Sequence, residues 1–218
     1  MDNATRLQYL EAMGIDVWMS RAASTDHQQA PDTTDSWSVL QTEVTQCTQC
    51  DLCKTRSQTV FGAGNKNADW MIVGEAPGQS EDQQGLPFVG KAGLLLTEML
   101  RAIDLDREQV FITNVVKCRP PGNRDPDPIE VKTCEAYLLR QIALLKPKII
   151  LALGHVAAQA LLNTDAPIAG LRGKIHALND TPVIVVYHPA YLLRSTLDKR
   201  KAWADLKFAR QTVKNIKG

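Results

Sequence analysis

Residues 69–78 read DWMIVGEAPG, and this stretch decides the class of fold. The run from Asp69 to Val73 is nearly continuous in apolar side chains rather than alternating, which is typical of a strand buried on both faces. Gly74 and Gly78 follow at its end, and glycine lets backbone N–H groups approach a ligand closely. The stretch therefore predicts a buried strand that leads directly into a binding loop.

Three further apolar runs elsewhere in the chain have the same composition. They are Val110–Val115, Lys148–Leu153 and Pro182–Tyr187. Helical patterns lie between and after them, over Lys91–Ile103, Pro128–Leu145, His155–Leu162 and Lys199–Ile216. Strands that alternate with helices favour a parallel sheet covered on both faces. We therefore expect an α/β fold, a three-layer α/β/α sandwich around a central, mainly parallel four-stranded sheet.

The strand ends indicate where a ligand should bind. In open parallel sheets the ligand lies beyond the carboxyl ends of the strands. That rule selects four loops, which follow Val73, Val115, Leu153 and Tyr187. Candidate functional residues are therefore sought in these loops first.

The first loop carries carboxylates and one aromatic ring. Glu75, Glu81 and Asp82 could orient a water or offset a developing positive charge. Phe88 lies in a stretch rich in glycine and proline, where a flat stacking surface is a better interpretation than a core position. A Gly-rich phosphate loop, or ordinary turn chemistry, is the alternative for the glycines.

The second loop follows Asn114, an amide inside an apolar strand. An amide offers a donor and an acceptor side by side, which suits the edge of a nucleobase. The alternative is that Asn114 ties down a neighbouring loop. The residues alone do not separate these two roles.

The third loop opens with His188 at a strand end. A neutral imidazole there could donate a hydrogen bond to an anionic leaving group, although a lone histidine is more often structural. Leu192, Leu193 and Arg194 then form an apolar tip beside a positive charge. Such a tip could enter a base stack while the arginine meets phosphate, or it could be a helix start with two core leucines.

The five cysteines indicate a metal site. Cys47 and Cys50 form a C-x2-C pair, and Cys118 and Cys134 follow far downstream. Two pairs that converge would make a four-thiolate site for zinc or an iron–sulfur cluster, and spacing alone does not select the metal. Cys53 also fits a C-x2-C pair with Cys50, so one of these three thiols is spare.

Bulk composition excludes several classes of protein. The chain has 218 residues with 44% hydrophobic and 22% charged residues, as in ordinary globular proteins, and it lacks a membrane-length apolar run or a secretory signal. Clustered cysteines without such a signal predict a cytoplasmic protein with a metal or catalytic site rather than disulfides. The net charge is +1, but bases prevail after His188, which favours a polyanionic partner or simply a solvated helix.

These loops together resemble one family, the family 4 uracil-DNA glycosylases. The resemblance runs from about Cys47 to the C-terminal helix. Its motifs are Cys47-x2-Cys50-x-Leu52, Gly74-Glu-Ala-Pro-Gly78, Pro87-Phe-Val-Gly90, Thr113–Arg124 and His188-Pro-Ala190. Five ordered motifs are far more specific than any one of them.

The resemblance implies a role for each candidate. It implies a [4Fe–4S] cluster on Cys47, Cys50, Cys118 and Cys134, with zinc as the less favoured occupant and Cys53 as the spare thiol. Phe88 would stack on uracil, Asn114 would bind its polar edge and His188 would stabilise the departing base. The remaining implied residues are Gly74, Ala76 and Gly78 in the uracil pocket, Glu75, Glu81 and Asn123 as catalytic candidates, and Leu192, Leu193 and Arg194 as DNA contacts.

The implied function is hydrolysis of the N-glycosidic bond of a flipped deoxyuridine in DNA, which releases uracil in base excision repair. The expected protein is a monofunctional DNA N-glycosylase and a monomer. One alternative is a uracil- or DNA-binding adaptor associated with the replisome that has lost turnover. The third alternative is an electron carrier that uses the cluster, which ranks last because nothing in the sequence suggests a site for a redox partner.

The N-terminal segment lies outside this resemblance. We expect a helix within residues 1–21, a linker over 22–35 and the catalytic domain over 36–218. Residues 7–21 resemble the N-terminal peptide of the psi subunit of the bacterial polymerase clamp loader, which docks on the chi subunit. That resemblance implies a docking segment for chi, and the alternative is a helix packed on the domain.

Overall fold

The computed structural model describes residues 36–217, and those from Ser36 onward form one unit. The predicted helix within 1–21, the docking segment 7–21 and the linker 22–35 lie outside the described residues. Among the residues described, no helix is both long enough and apolar enough to cross a membrane.

The sheet has four central parallel strands, as predicted, and two short edge strands. The strands are β1 Ala63–Gly64, β2 Trp70–Gly74, β3 Val110–Asn114, β4 Ile149–Leu153, β5 His176–Leu178 and β6 Thr181–Val186. Their order is β1-β3-β2-β4-β6-β5, and only β1 and β5 run antiparallel to their neighbours. The four-stranded prediction therefore missed both edges, which are two and three residues long and partly exposed.

Helices surround the sheet on both faces. They are α1 Trp37–Gln46, α2 Gln79–Gln84, α3 Lys91–Arg101, α4 Pro128–Leu145, α5 His155–Leu162, α6 Ile168–Leu171, α7 Pro189–Leu192 and α8 Lys199–Lys217. Short 3-10 turns occupy Asp51–Lys54, Arg107–Gln109, Pro121–Asn123 and Thr196–Asp198. The helices predicted around α3, α4, α5 and α8 are confirmed, with ends that differ by at most two residues.

The three layers follow from the alternation of side chains along each strand. All five residues of β2 are buried. Met71 and Val73 point to a core shared with α1, α4 and α5, whereas Trp70 and Ile72 point to a core shared with α3 and α8. Because successive side chains of a strand face opposite ways, a continuous apolar run requires cover on both faces. The three-layer prediction is confirmed.

The start of α4 shows how local sequence positions a long helix. Pro128 occupies the first turn, where its missing N–H costs nothing. Asp127 and Glu130 form a reciprocal capping box, and the Asp127 backbone N–H donates to the Glu130 carboxylate at 2.8 Å. The helix therefore begins where the loop after β3 ends, and it carries Cys134 beneath that loop.

Strand register brings the functional loops to one edge. Gly74 at the end of β2 pairs with Asn114 at the end of β3, and Leu153 of β4 pairs with Val186 of β6. Backbone bonds continue the pairing past the strand ends, with Val116 N–H donating to the Glu75 carbonyl at 3.0 Å. The four loops selected from the sequence therefore start side by side.

Candidate active site

A cleft of about 790 Å³ lies at the carboxyl edge of the sheet. All four predicted loops contribute to its walls, which agrees with the rule for parallel sheets. The predicted residues that line it are Glu75, Ala76, Gly78, Glu81, Phe88, Asn114, Asn123, His188 and Arg194. Gly74 lies directly beneath them at the end of β2.

Asn114 places an unpaired acceptor in this cleft. The residue is 1% exposed, and its Oδ1 has no hydrogen-bond partner among the described residues. A buried amide oxygen without a partner is costly, so such atoms point to a missing ligand or water. The loop-tying alternative for Asn114 receives no support from this geometry, because its Oδ1 binds no loop.

Gly74 leaves room for the side chains of both Phe88 and Asn114. A Cβ at Gly74 would lie 2.5 Å from the Asn114 Oδ1 and 2.5 Å from the Phe88 ring. Phe88 itself has a φ of 54°, an unusual value for an aromatic residue, and is nearly buried. A Cβ at Gly93 of α3 would meet the Phe88 carbonyl oxygen at 1.8 Å. Two glycines therefore leave the space that the Phe88 residue and the Asn114 amide occupy.

Glu81 fixes the loop that carries Phe88. Its Oε1 accepts hydrogen bonds from the backbone N–H groups of Val89 and Gly90, both at 2.9 Å. Asp82 is buried and accepts from the Ser57 N–H at 2.9 Å. These carboxylates therefore have structural partners, although Glu81 still lines the cleft.

His188 is held as a neutral hydrogen-bond donor. Burial, followed by the nearby charges of Arg194 and His155, lowers the pKa of His188 to about 4. Its Nδ1 accepts from the Ala190 backbone N–H at 3.1 Å, which leaves the proton of the neutral ring on Nε2. The His188 ring lies 5.7 Å from the Phe88 ring, centroid to centroid. A donor and a stacking surface therefore face the same space.

Glu75 and Asn123 lie at different depths in the cleft. Burial, together with a hydrogen bond and charge repulsion from Asp125, raises the pKa of Glu75 to about 7. Asn123 is exposed at the rim, where its Oδ1 accepts from the Arg119 Nε at 2.7 Å. Glu75 is therefore the better placed of the two to act on a bound water.

The tip after His188 differs from the prediction at one position. Leu192 is 1% exposed and packs in the core shared by α3 and α8, so it is not available to DNA. The single turn of α7 turns Leu192 inward and leaves Leu193 43% exposed beside Arg194. The core-leucine alternative thus holds for the first leucine but not for the second.

Four thiols converge beneath the cleft. Cys47, Cys50, Cys118 and Cys134 line one small cavity, and Cys53 does not line it. Burial raises the pKa of Cys118 to about 11, an effect that the Arg56 guanidinium opposes by donating to its Sγ at 2.9 Å. The described residues contain no trio of Cys, His, Asp or Glu arranged around a single metal ion.

Lys117 lies between the thiols and the cleft. Its ammonium is buried and donates to the Asn114 carbonyl at 2.7 Å, the Thr113 hydroxyl at 2.8 Å and the Gln141 Oε1 at 2.7 Å. Its backbone N–H donates to the Cys134 Sγ at 3.3 Å. Lys117 therefore contacts both a thiol of the cavity and the end of β3, where the Asn114 Oδ1 is unpaired.

Other cleft residues were missed by sequence reasoning. Asp125 and His155 line the cleft, and so do Tyr187 and Tyr191, whose rings are 5.0 Å apart. A signal existed for His155, because it follows the strand end at Leu153 that the ligand rule had selected. Asp125 gave no such signal, since its position depends on the turn over Pro121–Asn123.

Comparison with known proteins defines the class. The family model described as Uracil DNA glycosylase superfamily matches residues 61–207, which include every loop of the cleft. The chain therefore belongs to the uracil DNA glycosylase superfamily, as the motifs predicted.

Three type-4 uracil-DNA glycosylases are similar over most of the chain. The protein from Archaeoglobus fulgidus is 48% identical over 159 residues, 69% of this chain and 80% of the relative. The protein from Sulfurisphaera tokodaii is 45% identical over 168 residues, which cover 73% of this chain and 76% of the relative. The protein from Thermotoga maritima is 42% identical over 180 residues, which cover 81% of this chain and 94% of the relative. The resemblance to family 4 is confirmed.

Proposed function

We propose that this protein is a monofunctional uracil-DNA glycosylase that hydrolyses the N-glycosidic bond of a flipped deoxyuridine in base excision repair. The observation that carries the proposal is the unpaired Oδ1 of buried Asn114, which lines the same cleft as the Phe88 ring and lies with it beside Gly74. Glycosylases read a flipped base by stacking and by hydrogen bonds to its Watson–Crick edge. The names of the type-4 relatives support the same activity.

Base selection follows from the chemistry of the Asn114 oxygen. Uracil carries an N3–H that an amide oxygen can accept, whereas cytosine has no hydrogen on N3. A site with a buried acceptor rejects a base that leaves the acceptor unpaired. Phe88 supplies the stacking surface for either base, so the amide is what separates them.

Bond cleavage places opposite charges on base and sugar. The electron pair of the C1′–N1 bond goes to uracil, and the Nε2–H of neutral His188 is placed to stabilise the resulting anion. The sugar becomes cationic, and ionised Glu75 offsets that charge and orients the attacking water. The water adds to C1′ and loses a proton, which yields uracil and an abasic site.

The DNA-facing surface includes Leu193 and Arg194. Leu193 is exposed at the tip after α7, where an apolar side chain could fill the gap left by the flipped nucleotide. Arg194 lines the cleft and is suited to a phosphate. Both assignments are part of the proposal, with Leu192 removed from the predicted set.

The resemblance to the type-4 glycosylases favours an iron–sulfur cluster over zinc at the four converging thiols. Cys47, Cys50, Cys118 and Cys134 line one shared cavity, as ligands of a single group would. We propose that these four residues hold a [4Fe–4S] cluster, with Cys53 free. A bound cluster would supply a cross-link between α1, the loop after β3 and α4. Visible thiolate-to-iron absorption supports this assignment, and stoichiometric zinc without iron contradicts it.

Product analysis tests the enzymatic proposal. A labelled oligonucleotide with one deoxyuridine is incubated with the protein, and a matched oligonucleotide with deoxycytidine is the control. We expect free uracil and an abasic site from the first and no product from the second. Stable binding to the uracil strand without release would instead establish the adaptor alternative, and the His188→Ala variant would show whether the remaining activity depends on the imidazole.

We also propose, from the sequence resemblance alone, that residues 7–21 dock on the clamp-loader chi subunit. A pull-down with chi should succeed with the full chain and fail when residues 1–30 are deleted. Equal capture by both would contradict docking.

We propose a cytoplasmic location as well. It accords with five cysteines that form no disulfide among the described residues, because a reducing compartment keeps thiols reduced.

A further inference from the structure

We propose that the rings of Tyr187 and Tyr191 form a second base-binding subsite in the cleft, on which a base next to the flipped deoxyuridine stacks. The ligand of the whole cleft is then a dinucleotide unit of unpaired DNA rather than a single deoxyuridine. The inference rests on the proposed glycosylase activity and extends it from one nucleotide to its neighbour.

The cleft extends beyond the residues assigned to uracil. Its volume of about 790 Å³ lies toward the upper end of the range for sites that hold drug-sized ligands, whereas uracil is one small ring. Phe88, Asn114 and His188 account for that ring, and both tyrosines line the same cleft. Because Tyr187 directly precedes His188 in the chain, the ring pair adjoins the proposed uracil site. The cleft therefore has room for a second base beside an aromatic surface.

Arg172 and Asp205 hold the Tyr187 ring in place. The guanidinium carbon of Arg172 lies 4.1 Å from the centroid of the Tyr187 ring, which is a cation–π contact. Arg172 is fixed in turn by buried Asp205 of α8, whose Oδ2 accepts from the Arg172 Nε at 2.7 Å. Arg172 does not line the cleft, so it supports the ring without filling the cleft.

Asp198 holds the Tyr191 ring in place. The Tyr191 hydroxyl donates to the Asp198 Oδ2 at 2.6 Å, and the same oxygen accepts from the Ser195 hydroxyl at 2.9 Å. The centroids of the two tyrosine rings are 5.0 Å apart, and the ring planes are tilted by 38°. Tyr191 nevertheless remains 38% exposed. A ring that is already fixed but still exposed loses little conformational entropy when a ligand stacks on it.

Stacking on aromatic rings is a common way for proteins to bind unpaired bases. Every base has a flat π face, so a ring platform accepts the neighbour of uracil whatever the sequence. Extrusion of uracil from a stack removes a stacking partner from that neighbour, and the tyrosines replace it. Arg194 lines the same cleft and is suited to the phosphate between the two nucleotides. The second subsite therefore offsets part of the cost of extruding the base.

The test compares the binding of single-stranded oligonucleotides that lack one base. Each contains a deoxyuridine with a 2′-fluorine, which prevents cleavage because fluorine destabilises a cationic sugar. In one the base on the 5′ side of the deoxyuridine is removed, and in another the base on the 3′ side, with a tetrahydrofuran sugar left so that the phosphates stay unchanged. Dissociation constants are measured by fluorescence anisotropy at one salt concentration, since phosphate contacts make affinity depend on salt.

The proteins compared are the wild type, Tyr191→Ala, Tyr191→Phe and Trp203→Ala. Tyr191→Phe keeps the ring and loses only the hydroxyl that donates to Asp198. Trp203 of α8 is the matched control, because it is 39% exposed, close to the 38% of Tyr191, and does not line the cleft.

We expect removal of the base on at least one side of the deoxyuridine to weaken wild-type binding about tenfold, the effect of one stacked base. Tyr191→Ala should weaken binding of the intact oligonucleotide by about the same factor, and removal of that base should then cost nothing further. Tyr191→Phe and Trp203→Ala should respond to base removal as the wild type does.

Wild-type affinity that is unchanged by base removal on either side overturns the inference, and this comparison does not require a variant to fold. Equal sensitivity of the wild type and Tyr191→Ala to base removal overturns it too, and so does the lack of measurable wild-type binding. Failure of the proposed function is seen separately, as the absence of uracil release from the same oligonucleotide without fluorine.

Discussion

Asn114 carries its amide oxygen where no described group hydrogen-bonds it, and that placement has an energetic cost. Leaving a buried acceptor unpaired costs about 1–3 kcal/mol. A base that offers an N–H to this oxygen recovers that energy, whereas a base without one does not. The site can therefore distinguish the two kinds of base, because its unpaired acceptor is in place before a base binds.

Replacing Gly74 with alanine tests whether the positions of Phe88 and Asn114 matter for excision. The added Cβ would lie 2.5 Å from both the ring and the amide oxygen, so one of them must move. We expect uracil excision, measured as kcat/KM, to fall at least tenfold while the far-ultraviolet circular dichroism spectrum stays that of the wild type.

Gly170 in α6 provides the matched control for that substitution. A Cβ there meets no atom of the described residues within 4 Å, so Gly170→Ala should keep its excision rate. Equal activity in the Gly74→Ala and Gly170→Ala variants would show that excision does not depend on the positions of the Phe88 ring and the Asn114 amide.

His188 should make folding stability depend on pH. Its pKa is about 4 in the fold against 6.5 ordinarily, so the unfolded chain binds the proton more readily between these values. Stability is therefore lost as the pH falls through this window. Urea unfolding should show that His188 contributes about 2 kcal/mol of loss between pH 7 and pH 5. A His188→Gln variant with the same pH dependence as the wild type would contradict this account.

At the scale of the elements, the central strands could be predicted and the edges could not. The run from Asp69 to Val73 is apolar because both faces of β2 are covered. Burial on both faces can therefore be predicted from an unbroken run of apolar residues. β1 consists of Ala63 and Gly64, which are strand residues only because they pair with β3. Pairing of that kind depends on tertiary structure rather than on local preference.

The parts of the site also differ in whether the sequence alone could predict them. Asn114 and His188 were predictable because each is a polar residue at the end of an apolar strand. The presence of Asp125 in the same cleft as Glu75 was not, since the two residues belong to loops that follow different strands. The sequence alone could not predict which of Leu192 and Leu193 faces inward, because packing against α3 and α8 decides that Leu192 does.

Lys117 should matter to the stability of the loop between β3 and α4. Replacing it with methionine leaves the Asn114 carbonyl and the Gln141 Oε1 without their buried donor. We expect a loss of about 2–4 kcal/mol in the free energy of unfolding, measured in urea.

The exposed Lys132 of α4 is the control for Lys117. It is 79% exposed, and its ion pair among the described residues is with Glu135 one turn away, so Lys132→Met should change stability by less than about 0.5 kcal/mol. Similar losses in both lysine variants would contradict a specific role for the buried ammonium.

At the scale of the whole molecule, the fold places two sites on one strand end. The thiol cavity contacts Lys117, which holds the Asn114 carbonyl, and Asn114 faces the cleft. A cluster on the four thiols would therefore stabilise the end of β3, which carries Asn114.

Cysteine substitution separates the cluster thiols from the spare one. Cys134 lines the thiol cavity and Cys53 does not. We expect Cys134→Ser to lose bound iron and to unfold at a temperature about 5 °C lower, roughly the effect of 2 kcal/mol in a domain of this size. Cys53→Ser should retain the iron and the melting temperature. Full iron content in Cys134→Ser would refute the assignment.

The central claim, that the unpaired oxygen of Asn114 reads uracil, is tested most directly by one rate measurement. The single-turnover rate of uracil release is compared between the wild type and Asn114→Ala on the same oligonucleotide. Loss of about 1.5–3 kcal/mol of hydrogen bonding in the transition state predicts a rate roughly 10- to 100-fold lower. A variant that folds normally and releases uracil at the wild-type rate would contradict the claim.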